Sequence, residues 1–329
     1  MNAGTLKRFI IHPRLFADAL LKRSARWFRN DKTYLSLLWC VRMGYRLDWE
    51  HPETFCEKMQ WLKLNLRNPE YTVMADKVLV KEWVANRIGQ EYVIPTLGVW
   101  KRAEDIDFAA LPAKFVLKCN HNSGIGMYVC RDKNAMDRRS VLKGLRRGLR
   151  KNYYLKNREW PYKNIPPRII AEQYMEDSSE PDRCLTDYKF YCFGGRPHYC
   201  QVIKDRDSHE TIDFFDMEWQ HQEFTGLITR FAPGIGNALR LPEKPQQFDR
   251  MKQIAETLSA GLPFSRIDLY EINGHIYFGE ITFFPNSGMG EFVPNEYDKI
   301  LGRMIRLPYE SDCAVDEHID CDKLKKDTK

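Results

Sequence analysis

Three pairs of short apolar segments, each pair separated by a small polar loop, constrain the fold of this 329-residue chain more than any other feature. The paired segments are 115–119 with 127–130, 187–193 with 198–203, and 264–271 with 275–281. Apolar runs of this length around turn residues such as Gly194-Gly195 and Asn273-Gly274 predict β-hairpins. Single helices are predicted at 136–155 and 246–260. Hairpins that alternate with single helices favour an α+β fold of two lobes with antiparallel sheets over a parallel Rossmann series.

The segments outside these hairpins complete the outline of the fold. Residues 1–65 have a helical, aromatic-rich pattern, and 76–88 predicts a helix that Gly89 ends. Short strands are predicted at 93–97 and, after a pair of prolines, at 168–175.

Composition places the chain among folded globular proteins, since 43% of its residues are apolar, 13% aromatic and 29% charged. No run of about 18 apolar residues occurs, which argues against a transmembrane helix and a signal peptide. The nine cysteines form no Cys-x-x-Cys pair and no zinc spacing, so neither a disulfide framework nor a metal finger is predicted. This pattern favours a reducing, cytoplasmic compartment.

Positive charge is concentrated in the first thirty residues, although the net charge of the chain is only +6. The basic residues there are Lys7, Arg8, Arg14, Lys22, Arg23, Arg26 and Arg29. Apolar and aromatic side chains are interleaved with them. The segment therefore either packs on the domain with a solvated basic face or lies on an anionic membrane surface. No nucleic-acid recognition motif accompanies the charge, so nucleic acid is not a predicted partner.

A small loop of sequence HNSGIG, at 121–126, lies between the first two strands. Gly124 and Gly126 would let backbone N–H groups approach phosphate oxygens, and Ser123 adds a hydroxyl donor. Lys118, at the end of the preceding strand, would reach an α- or β-phosphate. Taken alone, the loop is more typical of an ordinary hairpin turn, and His121 of a hydrogen-bonded loop histidine.

Two acids, Asp268 and Glu280, interrupt the apolar strands of the last hairpin. Arg266 precedes Asp268 by two residues and therefore shares its face of the strand. A single acid on a strand is common, but two carboxylates with an arginine favour a site for magnesium and phosphate. The loop after Pro285, which begins with Asn286, adds further polar groups at the end of the same strand.

The length of the turn in this hairpin decides whether both carboxylates can reach one ion. A two-residue turn at Asn273-Gly274 would send them to opposite faces of the sheet. A three-residue turn, with Gly274 left-handed as a bulge, would pair Arg266 with Glu280 and place Asp268 diagonally beside it on the same face. The three-residue register is therefore predicted, with a positive φ at Gly274.

Residues 172–175, at the end of another apolar strand, could bind adenine through exposed backbone, although alone they form an ordinary strand end. The ordered succession of motifs is more specific. It consists of ADKVLVKEWV, FVLKCNHNSG, REWPYKNIPPRIIAEQYM, DYKFYCFGG, SRIDLY and IYFGEITFFPNSG. This succession resembles the TupA-like ATP-grasp family of cell-surface polysaccharide gene clusters, over roughly residues 55–308. The resemblance implies an ATP-grasp fold that binds ATP and Mg²⁺ between two lobes.

The resemblance also implies roles for the matching residues. ATP would be bound by Lys77, Lys118, Ser123, Gly124, Glu172, Gln173, Tyr174, Met175 and Asp187. Within this set the first two lysines would contact phosphates, residues 172–175 would form the adenine hinge, and Asp187 would hold the ribose. Lys204 would reach the β- or γ-phosphate, and Arg266 would stabilise the transferring phosphoryl group.

The implied magnesium ligands are Asp268 and Glu280, and the sequence departs from the family pattern nearby. Many ATP-grasp enzymes carry Asn two residues after the metal-binding Glu, whereas this chain has Thr282. The third metal contact is therefore left to Thr282, Asn286 or water. A second departure is Asn122, which stands in the phosphate loop where relatives are expected to have glycine.

The resemblance divides the chain into four segments. They are a helical basic N-terminal extension at 1–65, a pre-grasp segment at 66–112, an ATP-grasp domain at 113–309 and a polar C-terminal tail at 310–329. Because the basic segment lies outside the matching motifs, we expect residues 1–30 to be dispensable for nucleotide turnover and to contribute to contact with anionic membranes.

The implied activity is that of an ATP-dependent carboxylate–amine ligase, which forms an acyl phosphate on a sugar acid or polysaccharide precursor and joins it to an amino compound. Family members are also labelled glycosyltransferases, for which Asp205-Arg206-Asp207 offers an Asp-x-Asp signature. A phosphotransferase that acts on a hydroxyl group is a further alternative. A catalytically silent binding module is disfavoured by the presence of Lys77, Lys118, Arg266, Asp268 and Glu280.

Overall fold

The computed structural model describes residues 13–178, 185–204, 210–228 and 236–308. Its helices are α1 (Pro13–Ser24), α2 (Asp31–Met43), α3 (Phe55–Asn65), α4 (Glu70–Ala75), α5 (Leu79–Ile88), α6 (Arg138–Leu149), α7 (Tyr154–Asn157), α8 (Phe248–Ser259) and α9 (Glu296–Arg303). Its strands are β1 (Thr96–Trp100), β2 (Phe115–Cys119), β3 (Met127–Cys130), β4 (Ile169–Gln173), β5 (Asp187–Phe193), β6 (Arg196–Lys204), β7 (Thr211–Asp216), β8 (Thr225–Ile228), β9 (Phe264–Ile272), β10 (His275–Thr282) and β11 (Glu291–Val293). The first twelve residues, the tripeptide at 205–207 and the tail at 310–329 lie outside the described residues.

Two antiparallel sheets form the two lobes. The smaller sheet has the strand order β1-β4-β2-β3, and the larger sheet has the order β10-β9-β5-β6-β7, while β8 and β11 pair separately. Val141 and Leu145 of α6 pack into the core of the smaller lobe. On the larger sheet, Phe248 of α8 stacks on Phe190 of β5 at a ring separation of 5.7 Å. The predicted α+β architecture of two lobes with antiparallel sheets is confirmed.

Helix α5 begins at Leu79, three residues later than the pattern predicts, for a reason visible in its hydrogen bonds. The buried carboxylate of Asp76 accepts from the backbone N–H of Val78 at 2.8 Å and binds Arg168 at 2.7 Å. The backbone N–H of Lys77 donates to Asn120 in the smaller lobe at 3.3 Å. These contacts hold the turn that precedes the helix against the smaller lobe.

The N-terminal helices are integral to the larger lobe. Helix α3 starts in a capping box, in which Thr54 and Glu57 each accept from the other's backbone N–H, and it is buried in the main core. It also contacts the far end of the chain, since Lys58 Nζ donates to Ile305 O at 2.7 Å and Asp298 Oδ1 accepts from Cys56 N at 2.9 Å. In the described ranges, no helix is both long and apolar enough to span a membrane.

Candidate active site

The last hairpin places Asp268 directly opposite Glu280, whereas the predicted register paired Arg266 with Glu280 and set Asp268 diagonally beside it. Its turn has two residues, Asn273 and Gly274, with positive φ angles of 52° and 73°. Asn-Gly is the preferred sequence for such a turn because both central residues must be left-handed. The predicted three-residue turn is therefore wrong, whereas the positive φ at Gly274 is confirmed.

A β-bulge at Gly279 restores the arrangement that a shared metal site requires. The register shifts between Phe278 and Glu280, so that Glu280 lies opposite Asp268. The extra residue changes the phase of side-chain alternation, which turns Glu280 to the face of Asp268. A Cβ atom at position 279 would lie 2.9 Å from Tyr270 Cε2 and 3.1 Å from Asp268 O, so the close approach of the two strands requires glycine there.

Arg266 links the two carboxylates. Its Nε and Nη2 donate to the two oxygens of Asp268 at 2.7 Å each. Nη2 also lies 3.5 Å from Glu280 Oε1 and 3.1 Å from Thr282 Oγ1. Bidentate pairing of this kind is strong and fixes the orientation of both groups. One guanidinium, two carboxylates and one hydroxyl therefore converge on a single point.

Lys189 belongs to this cluster and was missed by the sequence analysis. Its ammonium, with a side chain only 4% exposed, contacts Asp187 at 3.1 Å and also binds Asp268. A buried lysine requires such partners because an unpaired charge is costly away from water. The signal available in the sequence was the Asp-x-Lys spacing in β5, which places both side chains on one face of the strand.

Asp187, which the resemblance associates with ribose, is the first residue of β5 and lies beside Lys189. Its side chain is 5% exposed and its carboxylate is engaged by Lys189.

Lys77 approaches the cluster from the segment between the lobes. Its Nζ lies 3.4 Å from Glu280 Oε2. Withdrawal from solvent would raise the pKa of Glu280, but the positive charges of Lys77, Arg266 and Lys189 outweigh it and lower the pKa to about 2. Glu280 is therefore ionised at neutral pH, as a cation-binding carboxylate must be.

The predicted phosphate loop is attached to the end of α6. His121 and Asn122 are buried, and their side chains contact the backbone oxygens of Lys151 at 3.0 Å and Gly148 at 3.4 Å. The structural interpretation of His121 as a hydrogen-bonded loop residue is thus confirmed, and Asn122 acts as an anchor. Ser123 and the following glycine are exposed or partly exposed, so the outward side of the loop is available to a ligand.

Gly126 lets the loop approach α6 closely. Its φ is 71°, and a Cβ there would lie 3.1 Å from Gly148 Cα and 2.6 Å from Cys119 Sγ. Gly124, at a φ of 74°, has no heavy atom within 4 Å of such a Cβ. The first glycine of the motif therefore shapes the open side of the loop, and the second allows its packing.

Lys118 and Glu172 form an ion pair across strands β2 and β4. Lys118 Nζ lies 2.7 Å from one carboxylate oxygen of Glu172, and Lys81 Nζ lies 2.6 Å from the other. Burial would raise the pKa of Glu172, but Lys118 and Lys81 lower it to about 2. Lys118 keeps 30% of its side chain exposed, so its ammonium is accessible to a ligand.

The remaining predicted nucleotide contacts lie at two strand ends. Gln173 is exposed at the end of β4, and its backbone N–H donates to Pro95 O at 3.0 Å. Tyr174 and Met175 follow, both partly buried. Lys204 is the last residue of β6 and pairs with Thr211. Within the described residues, no hydrogen bond or ion pair joins Lys204 to the cluster around Arg266.

A strained loop lies next to this cluster. Residues 286–288 all have positive φ, at 43°, 58° and 56°. Left-handed conformations cost roughly 1 to 2 kcal/mol for residues other than glycine, so neighbouring groups must hold them. Gln60 and Lys63 of α3 do so, donating to Ser287 O at 3.1 and 2.7 Å. Helix α3 therefore fixes the loop that contains Asn286.

Glu280 lines the cavity and fits a magnesium ion that shares its ligands with phosphate. Asp268 is 2% exposed and both its oxygens bind Arg266 or Lys189, so it would reach the ion only after these ion pairs rearrange. Mg²⁺ is usually held by one or two carboxylates, phosphate oxygens and water. Arg266 Nη2 lies 2.7 Å from Asp268 Oδ2 and 3.5 Å from Glu280 Oε1, so a cationic group is accommodated between them. Thr282 stands beside them, whereas the Asn286 amide donates to a backbone carbonyl of β8 at 2.9 Å. The described ranges contain no group of three acidic, histidine or cysteine side chains that could hold an ion unaided.

A cavity of about 510 Å³ opens beside the cluster. Arg266, Glu280 and Thr282 line it together with Ser123 of the phosphate loop. The N-terminal helices line it with Leu15, Asp18, Lys22, Arg42 and Met43. Residues 13–24 therefore face the same cavity as the cluster of Arg266, Asp268 and Glu280. The sequence analysis did not predict this position, because it separated residues 1–30 from the nucleotide chemistry.

Two solved structures are similar to the chain at low scores. They are D-alanine–D-alanine ligase from Bacillus anthracis complexed with ATP (16% identity, TM-score 0.40, 71% of this chain and 63% of that chain covered) and a RimK domain ATP-grasp protein from Sphaerobacter thermophilus (10% identity, TM-score 0.38, 71% and 69% covered). The chain thus spans less than two thirds of the length of the first. A search of curated proteins found no match.

The family comparison is stronger. The model described as TupA-like ATPgrasp matches residues 57–306. This range contains both sheets, the phosphate loop and the cluster of Arg266, Asp268 and Glu280. Because the match covers most of the sequence, including both sheets and the strands that carry the cluster, the chain belongs to the TupA-like ATP-grasp family.

Proposed function

We propose that this protein is an ATP-dependent carboxylate–amine ligase, which activates a sugar acid as an acyl phosphate during capsular or other cell-surface polysaccharide biosynthesis. The observation that carries the proposal is the convergence of Arg266, Asp268 and Glu280 beside a cavity large enough for an acceptor. Membership of the ATP-grasp family supports the use of ATP.

The proposed reaction has two steps. In the first, a carboxylate oxygen of the acceptor attacks the γ-phosphorus of ATP, and the bond to the bridging oxygen breaks so that ADP leaves with the electron pair. In the second, an amine attacks the acyl carbon, the amine loses a proton, and inorganic phosphate leaves. Phosphorylation is needed because a free carboxylate would have to expel oxide.

The chain's own residues would act on charge and position. Lys77 and Lys118 would contact ATP phosphates, and Ser123 and Gly124 would bind them through the outward side of the loop. Arg266 would stabilise negative charge on the transferring phosphoryl group, because Asp268 holds its guanidinium in a fixed orientation and Arg266 lines the cavity. Lys204, at the end of β6, would approach the β- or γ-phosphate.

Magnesium would be held by Asp268 and Glu280, with Thr282, Asn286 or water as a further ligand, and it would supply charge neutralisation between the phosphates. The adenine would lie against the backbone of Glu172–Met175. Since the carboxylate of Asp187 is engaged by Lys189, a ribose contact at Asp187 requires that ion pair to rearrange.

Two alternative reactions are distinguished by their products. A glycosyltransferase would release a free nucleoside diphosphate such as UDP from a sugar donor, and a phosphotransferase would form ADP with an alcohol and no amine. Incubation with labelled ATP, candidate uronic acids and candidate amines tests the ligase. ADP formation that requires both acid and amine supports it, whereas ADP formation without either, or release of UDP, contradicts it.

We further propose that the protein acts in the cytoplasm, with peripheral contact to anionic membrane through residues 1–30. The cysteines in the described ranges are all free thiols, which suits a reducing compartment. Three apolar residues, Phe16, Leu20 and Trp27, are 49%, 57% and 69% exposed, and Arg23 and Arg26 lie beside them. Sedimentation with anionic and neutral liposomes, at low and high salt, tests this contact.

A further inference from the structure

One wall of the cavity belongs to the N-terminal extension. Leu15, Asp18 and Lys22 of α1 line it, and their spacing places them on one face of the helix. This face is fixed, because Arg42 Nε of α2 donates to Asp18 at 2.7 Å. Just beyond the helix, the buried Arg158 donates to a backbone oxygen of the extension at 2.7 Å.

This wall carries more positive than negative charge. Lys22, Arg42 and Lys156 line the cavity, and Asp18 binds the first two of them. In the part of the chain that the structure describes, Lys156 makes no ion pair, and its ammonium lies 5.7 Å from the ring centroid of Tyr153. Three cations with one carboxylate leave an excess of two positive charges.

The other charged groups of the cavity lie outside this wall. Glu159 is buried, accepts from Ser287 and is attracted by Lys63 and, more weakly, by Lys156. Arg266 and Glu280 belong to the cluster described above, and Glu291 completes the acids of the lining. Four cations and four acids therefore line the cavity as a whole, and the excess of positive charge is local to the wall built by the extension and by α7.

The three cations are close enough to repel one another. Burial lowers the pKa of Lys22, and Arg42 and Lys156 add to that effect while Asp18 opposes it. A bound anion would relieve this repulsion and would gain charge-assisted hydrogen bonds from groups that are already positioned.

We propose that Lys22, Arg42 and Lys156 bind an anionic group of the acceptor, a carboxylate or a phosphate, and that α1 thereby forms part of the acceptor site. The inference deepens the proposed function, since it names the acceptor's charge and the residues that recognise it. Lys156 is the most direct probe, because its removal breaks no ion pair in the described structure, although its charge contributes weakly to the environment of Glu159.

The test measures binding without turnover. Glucuronic acid, glucose 1-phosphate and neutral glucose are titrated into the full-length protein, with Mg²⁺ and a non-hydrolysable ATP analogue present, and binding is followed by calorimetry or saturation-transfer NMR. All three probes are derived from glucose and differ in the anionic group that they carry, so the two acidic probes distinguish a carboxylate site from a phosphate site. Binding of either acidic probe can be measured whether or not ADP is formed.

We expect Lys156→Ala to weaken binding of at least one acidic probe roughly tenfold or more, since a contact to a charged group is lost. The matched control is Arg23→Ala, an exposed cation adjacent to Lys22 on α1 that does not line the cavity. Affinity for the ATP analogue should be unchanged in both variants.

Three results would overturn the proposal. The first is that Lys156→Ala binds both acidic probes with wild-type affinity, and the second is that neutral glucose binds as tightly as the acids. The third is that Lys156→Ala no longer binds the ATP analogue, which would assign the lysine to the nucleotide. If the ligase reaction fails in the labelled-ATP assay but anion binding depends on Lys156, the proposed function fails and the anion site stands.

Discussion

Replacement of Glu280 by glutamine tests the proposed metal site, because it removes the negative charge with little change in the shape of the side chain. The carboxylate lies 3.4 Å from Lys77 Nζ and 3.5 Å from Arg266 Nη2. At an effective dielectric constant of about 20, each of these attractions is worth about 5 kcal/mol before the cost of dehydration. The side chain of Glu280 is 41% exposed, so solvent screens a large part of this energy in the resting protein.

The effect on the reaction should be larger than the effect on folding. In the proposed mechanism the same carboxylate faces Mg²⁺ and a phosphoryl group whose charge changes, and a lost contact of this type typically costs about 2.7 to 4 kcal/mol. We therefore expect Glu280→Gln to lower Mg²⁺-dependent ATP turnover by roughly a hundredfold or more. Asp268→Asn should give a similar loss.

The assay measures ADP formation over a range of Mg²⁺ concentrations, together with thermal unfolding. The matched control is Glu271→Gln, which makes the same change in the same hairpin but away from the cavity. Turnover of Glu280→Gln within a few-fold of wild type at saturating Mg²⁺ would refute the metal assignment. An equal loss in Glu271→Gln would attribute the effect to the hairpin as a whole.

Lys118→Ala should weaken ATP affinity in calorimetry by about 1.5 to 3 kcal/mol and should also lower stability, because Glu172 loses one of its two lysine partners. Unchanged affinity would remove Lys118 from the phosphate site. Gly279→Ala should lower stability by roughly 1 to 3 kcal/mol and also lower Mg²⁺-dependent turnover, because its Cβ would press on Asp268 O at 3.1 Å. Gly274 has a φ of 73°, and a Cβ there would lie in open space. Gly274→Ala should therefore lower stability in thermal unfolding about as much as Gly279→Ala does, and leave turnover unchanged. Glu172, with its pKa lowered to about 2, stabilises the fold above its ordinary pKa of about 4.5, and this contribution is lost as pH falls from there toward 2. The free energy of unfolding in urea should therefore fall by roughly 3 kcal/mol between these two pH values in the wild type, and this fall should be absent in Glu172→Gln. If stability depends on pH in the same way in both proteins, the ion pair is contradicted.

The strands that build the site were predictable because they are short, apolar and bounded by turn residues. The predicted limits of β2 and β3 agree with the structure, since Phe115–Cys119 and Met127–Cys130 are flanked by loop sequence on both sides. A shared face for Asp268 and Glu280 was expected from their chemistry, but their direct opposition and the register that produces it were not. An isolated glycine inside an apolar strand, such as Gly279, is a local signal for a bulge, and the sequence analysis did not use it.

The cavity wall was harder to predict for a different reason. Asp18 and Lys22 lie in a segment without family motifs, and their composition is compatible with a solvated or membrane-facing helix. Only tertiary contacts, such as that between Asp18 and Arg42, show which face of α1 turns inward. Lys189 was missed because a lysine in a strand is usually exposed, and its burial follows from the neighbouring strand that carries Asp268.

The contacts of α3 with the far end of the chain have a consequence for the order in which the protein folds. Cys56 is hydrogen-bonded to Asp298, and Lys58 to Ile305, across sequence separations of 242 and 247 residues. Closing such long loops is slow because the entropy must be lost before any contact is gained. During synthesis, Phe55 of α3 can pack on Phe193 and Phe264 before α9 has left the ribosome, but the polar contacts with Asp298 and Ile305 form only at the end. Because α3 also holds the strained loop at 286–288, the site is completed late in synthesis.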